Sequence, residues 1–254
     1  MGLAQQLVFG LDPASVFEHC IAAPDNWQRR LLDSRAKRLI LNLHRQAGKT
    51  SVCAVLILYF LLYERPGSEV VILSPTEKQS TIMLSLVAKY HQMLPSTPKL
   101  IAESTTRLLW ANRSILHALP GGDDGDGSRG YSPDIVLVDE ASRVSDELFA
   151  AVRPMLATKA HGRLILLSTP WGARGVFHRL WSEGEKDGSL GWEKFELKAS
   201  DNPRIDPEFL ASEKRELSPL QFASEYLCEF VSTDETALWT PDIIDSIFNP
   251  GEED

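Results

Sequence analysis

The stretch from Arg38 to Thr50, RLILNLHRQAGKT, constrains this chain more than any other. Leu39 to Leu43 is an apolar run of the length a buried strand needs. Arg45, Gln46, Ala47 and Gly48 then turn the chain, and Lys49, Thr50 and Ser51 open a long apolar segment of helical length. Strand, glycine-containing turn, lysine, hydroxyl residue, helix is the order of a phosphate-binding loop. Amide N–H groups in the turn and at the helix start have no intrahelical partner and favour an anion. Lys49 is placed to reach the β- and γ-phosphates of a nucleotide, and Thr50 to offer its hydroxyl to Mg²⁺. The general pattern asks for a glycine where this chain has Leu43. The motif by itself therefore does not separate a phosphate loop from an ordinary helix start, and the rest of the chain has to decide.

The chain repeats the strand-then-helix alternation. EVVIL (Glu69 to Leu73), DIVLVD (Asp134 to Asp139) and the run from Arg163 to Leu167 are further buried strands, and Trp192 to Leu197 is a fifth. Helical segments separate them. The residues between Thr50 and the breaker Arg65-Pro66-Gly67 are apolar, and Thr76 to Met93 repeats Ile82, Leu86 and Tyr90 at helical spacing. Ser145 to Ala157 has Asp146 and Glu147 in its first turn, where the helix dipole favours them. This alternation implies an α/β fold with a mainly parallel sheet covered by helices on both faces. Ligands of such sheets bind at the carboxyl ends of the strands.

Every chemically marked residue falls there. Asp139 and Glu140 end the third apolar strand, about 90 residues beyond Lys49. Two carboxylates delivered by an apolar strand are costly unless a metal or a water uses them. Asp139 suits Mg²⁺, partly through water, and Glu140 suits the attacking water. Ser168 and Thr169 end the fourth strand, where their hydroxyls suit a γ-phosphate sensor. Upstream, Asp25 or Asn26 caps a short helix that carries Gln28, whose side-chain amide offers a donor and an acceptor to an adenine edge.

The remaining segments bound the organisation. Pro13 to Ala23 reads as a helix. Thr106 to Trp110 and Ile115 to Leu119 read as two strands of a β-excursion turning at Asn112-Arg113. GGDDGDGSRG (Gly121 to Gly130) imitates a calcium loop with Asp123, Asp124 and Asp126, but the bidentate glutamate and flanking helices are missing. A helix runs through Trp181 after Gly175, another starts at Asp206-Pro207-Glu208, and Pro219 is the first residue of one running through Tyr226.

At 254 residues, 43% apolar and 24% charged, the composition is that of a soluble globular protein with one α/β domain and a small appendage. The net charge of −9 argues against a uniformly basic nucleic-acid binder, while leaving a local basic stripe open. Cys20, Cys53 and Cys228 lie far apart, with no zinc spacing, and read as buried thiols. The apolar run Val52 to Tyr63 falls short of the roughly 20 residues a bilayer span needs, so no membrane association is expected.

Taken together, WQRRLL, HRQAGKT, SRG ten residues before Asp139, IVLVDEAS, LLSTPWG and SEYLCEFVS resemble the ATPase portion of the large terminase subunit, the DNA-packaging motor of tailed bacteriophages. The resemblance covers nearly the whole chain, and the departure at Leu43, with Arg45-Gln46 inside the loop, is common in that family. It implies a P-loop ATPase core of the RecA-like type over residues 1–200, a helical lid subdomain over 201–240, and a linker over 241–254 leading to a nuclease domain that this chain lacks. It further implies ATP and Mg²⁺ as ligands, with Gln28 on adenine and Arg45, Gln46, Ala47, Gly48, Lys49, Thr50 and Ser51 around the phosphates. Arg45 takes part in γ-phosphate sensing or hydrolysis, Asp139 and Glu140 are the Walker B carboxylates, and Ser168 and Thr169 form a coupling motif. Arg129 matches an arginine that some members insert into a neighbouring subunit's site.

The implied partners are double-stranded DNA, a portal protein on a procapsid and a small terminase subunit. A homo-oligomeric ring is expected on assembly, a monomer alone, in the cytoplasm of an infected bacterial host. Arg107 and Arg113 are the candidate contacts to DNA phosphates. No nuclease activity is expected. Two other classes remain open. A helicase superfamily 2 ATPase shares the upstream Gln, GKT, DEA and STP, although fewer than about 90 residues follow Thr169, too few for a second RecA-like domain. A non-catalytic module that binds nucleotide or a portal partner is the other, and Lys49, Asp139 and Glu140 argue against it.

Overall fold

The structure is a computed structural model describing residues 3–120, 130–183 and 191–232. Its centre is an eight-stranded sheet. The strands are β1 (Arg38–Leu43), β2 (Glu69–Ser74), β3 (Leu100–Glu103), β4 (Arg107–Trp110), β5 (Ile115–Pro120), β6 (Ile135–Asp139), β7 (Arg163–Ser168) and β8 (Glu193–Leu197), in the spatial order β3-β4-β5-β2-β6-β7-β1-β8. From β5 to β8 all neighbours run parallel; only β3-β4 and β4-β5 are antiparallel. β1 therefore lies between β7 and β8, and β7 separates it from β6.

The parallel strands read as continuous apolar runs because both of their faces are covered. Leu39, Leu41 and Leu43 of β1 face one core with Val70, Ile72, Ile135 and Leu137, while Ile40 faces the other with Val71, Leu73, Val136 and Val138. The first core is closed by α2 (Pro13–Cys20), α3 (Asn26–Asp33), α4 (Lys49–Tyr59) and α5 (Glu77–Met93), the second by α6 (Asp146–Met155) and α7 (Gly175–Glu183). α4 is buried on all sides from Val52 onward, which explains its lack of a polar stripe. Its last turn, Phe60–Glu64, winds as a π-helix, and Asn112 Nδ2 and Ser114 Oγ both donate to the Leu61 carbonyl there.

The three cysteines are free and buried. Among the described residues no helix is long and apolar enough to cross a membrane.

Four features depart from the sequence reading. An N-terminal helix, α1 (Leu3–Leu11), was not legible because LAQQLVFGL has no clean period; Leu7, Val8 and Leu11 stay exposed. β3 is an edge strand with exposed side chains, and only its pairing with β4 defines it. The expected β-excursion is part of the main sheet, since β5 pairs in parallel with β2 along its whole length. α5 buries Met83, Leu84, Val87, Ala88, Tyr90 and His91, whereas Ile82 is 49% exposed, so the inward face is rotated from the one its spacing suggested.

After β8 the chain forms a 3-10 turn, then α8 (Pro207–Glu216) and α9 (Pro219–Leu227), with Pro207 and Pro219 in the first turns as expected. These elements share a small apolar cluster of Ala199, Phe222 and Tyr226, backed by Leu210, Leu217 and Leu227. The end of the expected lid and the 241–254 linker lie outside the described residues.

Candidate nucleotide site

The loop after β1 is shaped by two left-handed residues, Gln46 (φ 64°) and Gly48 (φ 81°). Gly48 is the N-cap of α4, and that backbone conformation is why glycine stands there. Lys49, the first residue of α4, is only 8% exposed. Its Nζ donates to Thr169 Oγ1 at 2.9 Å and lies 3.9 Å from Glu140 Oε1. Thr50 and Ser51, half-buried, follow on the same turn.

The acidic pair sits across from it. β6 delivers Asp139 at 6% exposure, and burial together with the adjacent Glu140 raises its pKa to about 6, against the opposing pull of Lys49 and of the Glu140 N–H. That N–H donates to Asp139 Oδ1 at 2.9 Å. Glu140 is left-handed (φ 51°, ψ 43°), an uncommon conformation for a residue with a side chain. The following 3-10 turn, Ala141–Arg143, brings Ser142 Oγ to 2.6 Å from Ser168 Oγ and lets it donate to the Thr169 carbonyl at 2.8 Å. Ser168 Oγ is 3.5 Å from Glu140 Oε2. Lys49, Asp139, Glu140, Ser168 and Thr169, separated widely in sequence, thus meet at the carboxyl ends of β1, β6 and β7.

Gln28 is buried within α3, and its Oε1 accepts the Asp25 N–H at 2.9 Å in a capping box. Its Nε2 points at the loop: a Cβ added to Gly48 would lie 3.6 Å from it. The exposed Arg45 donates its main-chain N–H to the Glu225 carbonyl of α9 at 2.8 Å, which ties the loop to the segment after β8. The Arg45 residue also lines a cavity of about 490 Å³ formed with Trp171, Arg174, Gln221 and Tyr226. None of Lys49, Asp139 or Glu140 lines that cavity, so it flanks the site and is not the site itself.

A model of the terminase large subunit N-terminal region, T4-like virus type, matches residues 40–244. The chain belongs to the terminase large subunit family. The terminase large subunit of Thermus phage G20c is 27% identical over 239 residues, covering 82% of this chain and 49% of that protein. That of Escherichia phage T5 is 27% identical over 207 residues, covering 79% and 45%. The chain therefore spans about half the length of the curated relatives it matches. Among solved structures, the large terminase ATPase domain of Thermus phage P74-26 is 26% identical with a TM-score of 0.70, over 85% of this chain and 97% of that one. The large terminase of a thermophilic bacteriophage, in complex with ADP, has a TM-score of 0.70 at 11% identity, over 82% and 54%, and supports the fold alone. The fold of this terminase chain is the P-loop NTPase fold of the RecA-like type.

The other candidate residues of the terminase chain are scattered. Arg129 and the aspartates 123, 124 and 126 lie outside the described residues. Arg107 and Arg113 are both exposed but stand at opposite ends of β4. Arg113 lies in the turn before β5, at the amino edge of the sheet, and that turn is packed down by the Asn112 and Ser114 bonds to Leu61 rather than projecting as a tip. Conversely, Ser142, His44 and Asn202 carry the site's internal bonding without having been singled out. Ser142 and His44 each stood inside a quoted motif, yet nothing local announces which strand end each one reaches.

Proposed function

We propose that this chain binds and hydrolyses ATP as the motor part of a terminase large subunit, driving double-stranded viral DNA into a procapsid. The observation that carries the reading is the meeting of Lys49, Thr169, Glu140 and Asp139 at the carboxyl ends of β1, β6 and β7, with Lys49 Nζ 2.9 Å from Thr169 Oγ1 and 3.9 Å from Glu140 Oε1. The N–H groups of the loop and of the first turn of α4 receive phosphate oxygens, and Lys49 adds a charge-assisted contact. Arg45, Gln46, Ala47 and Ser51 frame the phosphates, and Gln28, already against Gly48, turns its amide to the base. Glu140 orients the water that attacks the γ-phosphate. Ser168 and Thr169 join that centre to the loop after β7.

The donor set fits Mg²⁺. Asp139 and Thr50 offer hard oxygens, and among the described residues no group of three or more His, Cys, Asp or Glu side chains could cage an ion. That suits a cation taking most of its coordination from phosphate and water. When bound, it offsets phosphate charge.

The segment from 201 acts as the lid over this site, and residues 1–200 as the core. The partners in this reading are DNA, a portal protein on the procapsid, a small terminase subunit and further copies of the chain in a ring, in the cytoplasm of the infected host. DNA is gripped through phosphates, with Arg107 and Arg113 as contacts, so binding weakens steeply with salt. The reading rests no nuclease step on this chain.

The test is direct. The purified chain should bind a fluorescent ADP analogue with Mg²⁺, and release phosphate from ATP. Lys49→Ala should lose both. A chain that neither binds nucleotide nor hydrolyses it, alone or with DNA, overturns the reading.

A further inference from the structure

His44 closes β1 and is fully buried, and all of its polar atoms are engaged. Its main-chain N–H donates to the Leu197 carbonyl of β8 at 3.0 Å, and its carbonyl accepts the Ala47 N–H of the loop at 3.3 Å. Its Nδ1 lies 2.5 Å from the Arg45 carbonyl, and its Nε2 lies 2.9 Å from Asn202 Nδ2. A carbonyl only accepts, so Nδ1 carries the proton; Nε2 is then the acceptor, and the Asn202 amide donates to it. The other end of Asn202 agrees, since its Oδ1 accepts the Arg204 N–H at 3.0 Å. This assignment leaves one consistent direction for each bond.

The contacts continue beyond the pair. Arg204 donates to Asp25 Oδ1 at 3.1 Å, and Asp25 caps the helix that carries Gln28, whose Nε2 faces Gly48. The segment following β8 thus touches both ends of the phosphate loop: its root through His44, and Gly48 by way of Asp25 and Gln28. Asn202 is 6% exposed, so its bond to the imidazole is out of competition with water.

We infer that His44 and Asn202 are positioning residues for nucleotide binding: their hydrogen bond holds the phosphate loop in its receptive shape and makes that shape depend on the seating of the segment after β8. The inference rests on the nucleotide reading of the site. Only the neutral Nδ1–H tautomer makes the bond. A proton on Nε2 sets N–H against the Asn202 NH₂ and breaks it. Burial, and secondarily the Lys49 charge, hold the imidazole below its ordinary pKa, although its bond to the Arg45 carbonyl acts the other way. Lys49 of α4 is the charged group acting on the ring. β8 meets His44 through the Leu197 carbonyl, the following segment through the neutral Asn202 amide, and α9 reaches the loop at Arg45 through the main chain of Glu225.

The experiment measures affinity for a fluorescent ADP analogue with Mg²⁺ between pH 5 and pH 8.5, for the full chain and its variants. Asn202→Ala should weaken binding by about fivefold at pH 8, the scale of one hydrogen bond. Asn202→Asp reverses the polarity, because a carboxylate accepts from a protonated Nε2. Its affinity should rise as the pH falls, while that of the wild type stays level and then falls at pH values below the ordinary imidazole range. His44→Gln, which puts an acceptor near the position of Nε2, should retain more affinity than His44→Ala. If His44→Ala does not fold, the Asn202 variants against wild type still decide. A purely structural bond would lower thermal stability while leaving affinity within twofold and the pH slopes parallel, and that result overturns the inference. Lys49→Ala separates the two failures. Lys49-dependent binding that ignores Asn202 sinks this inference alone, whereas no binding in the wild type sinks the reading it rests on.

Discussion

The ammonium of Lys49 donates to the hydroxyl of Thr169 at 2.9 Å, joining the start of α4 to the end of β7. This lysine is held inside the protein by a neutral partner and, at 3.9 Å, by the Glu140 carboxylate. A phosphate recruits Lys49 either through its two other N–H donors or by drawing it from the hydroxyl. Thr169→Ala should therefore leave nucleotide affinity unchanged or raise it up to about fivefold, the value of one hydrogen bond. Turnover should fall, because the link between β7 and the phosphate end is gone. Titration of a fluorescent nucleotide together with steady-state hydrolysis checks the split. A loss of affinity as large as that of Lys49→Ala would show that Thr169 binds phosphate directly.

Glu140, proposed to orient the attacking water, has a left-handed backbone, with φ at 51°. Glu140→Gln keeps size and hydrogen bonding but cannot polarise water, so it should retain nucleotide and lose roughly 10²–10⁴ in turnover. Glu140→Gly should lose turnover as well, yet gain about 0.5–1 kcal/mol of stability, because glycine accepts the left-handed conformation without penalty. Urea midpoints of the two variants against wild type measure that contrast. A Gly variant less stable than the Gln variant would mean that the conformation carries no strain.

Asp139 has its pKa raised to about 6 by burial first and by Glu140 second. An unfolded aspartate titrates near 4. The folded chain therefore holds this proton more tightly, and the stability it contributes is complete below about pH 4 and lost as the pH rises through 6. Asp139→Asn removes that loss. In the absence of nucleotide the variant should be more stable than wild type at pH 7.5, by up to about 3 kcal/mol, a figure that already includes the attraction to Lys49. The difference should shrink at pH 5, and hydrolysis should be abolished at both. Thermal melts at the two pH values check the sign; a variant less stable at pH 7.5 would show that Lys49 outweighs burial.

The parts of this fold that were legible in the sequence are those whose pattern is set by local physics. β1, β2, β6 and β7 announce themselves because a strand covered on both faces must be apolar throughout, and Lys49, Asp139, Glu140, Ser168 and Thr169 because each ends or follows such a strand. β3 was hidden because an exposed edge strand has no apolar pattern, and its strand character comes from pairing with β4. Ile82 misled because the face of α5 that packs inward runs through Met83, Leu84, Val87 and Ala88, rotated from the stripe of Ile82, Leu86 and Tyr90. His44 and Asn202 are 158 positions apart, and a lone histidine beside a phosphate loop carries no local sign of its partner.

Arg129, outside the described residues, gives the last prediction. It stands between Ser128 and Gly130, ten residues before Asp139, in a glycine-rich stretch poorly suited to core packing. Phosphoryl transfer accumulates charge on the γ-phosphate oxygens, and an arginine supplied by a neighbouring subunit contributes about 10³–10⁵ in kcat. If Arg129 acts in this way, Arg129→Ala subunits keep an intact site and lack the finger, whereas Glu140→Gln subunits keep the finger and lack the water-orienting carboxylate. Each alone should be nearly inactive. Mixed under conditions that assemble the ring, an Arg129→Ala site that receives a finger from a Glu140→Gln neighbour is complete, so activity should return, rising with total protein concentration. Sedimentation of the same mixture establishes co-assembly. No recovery at any ratio in co-assembled rings would remove Arg129 from a role in trans, and activity independent of protein concentration yet abolished by Arg129→Ala would assign it to its own subunit's site.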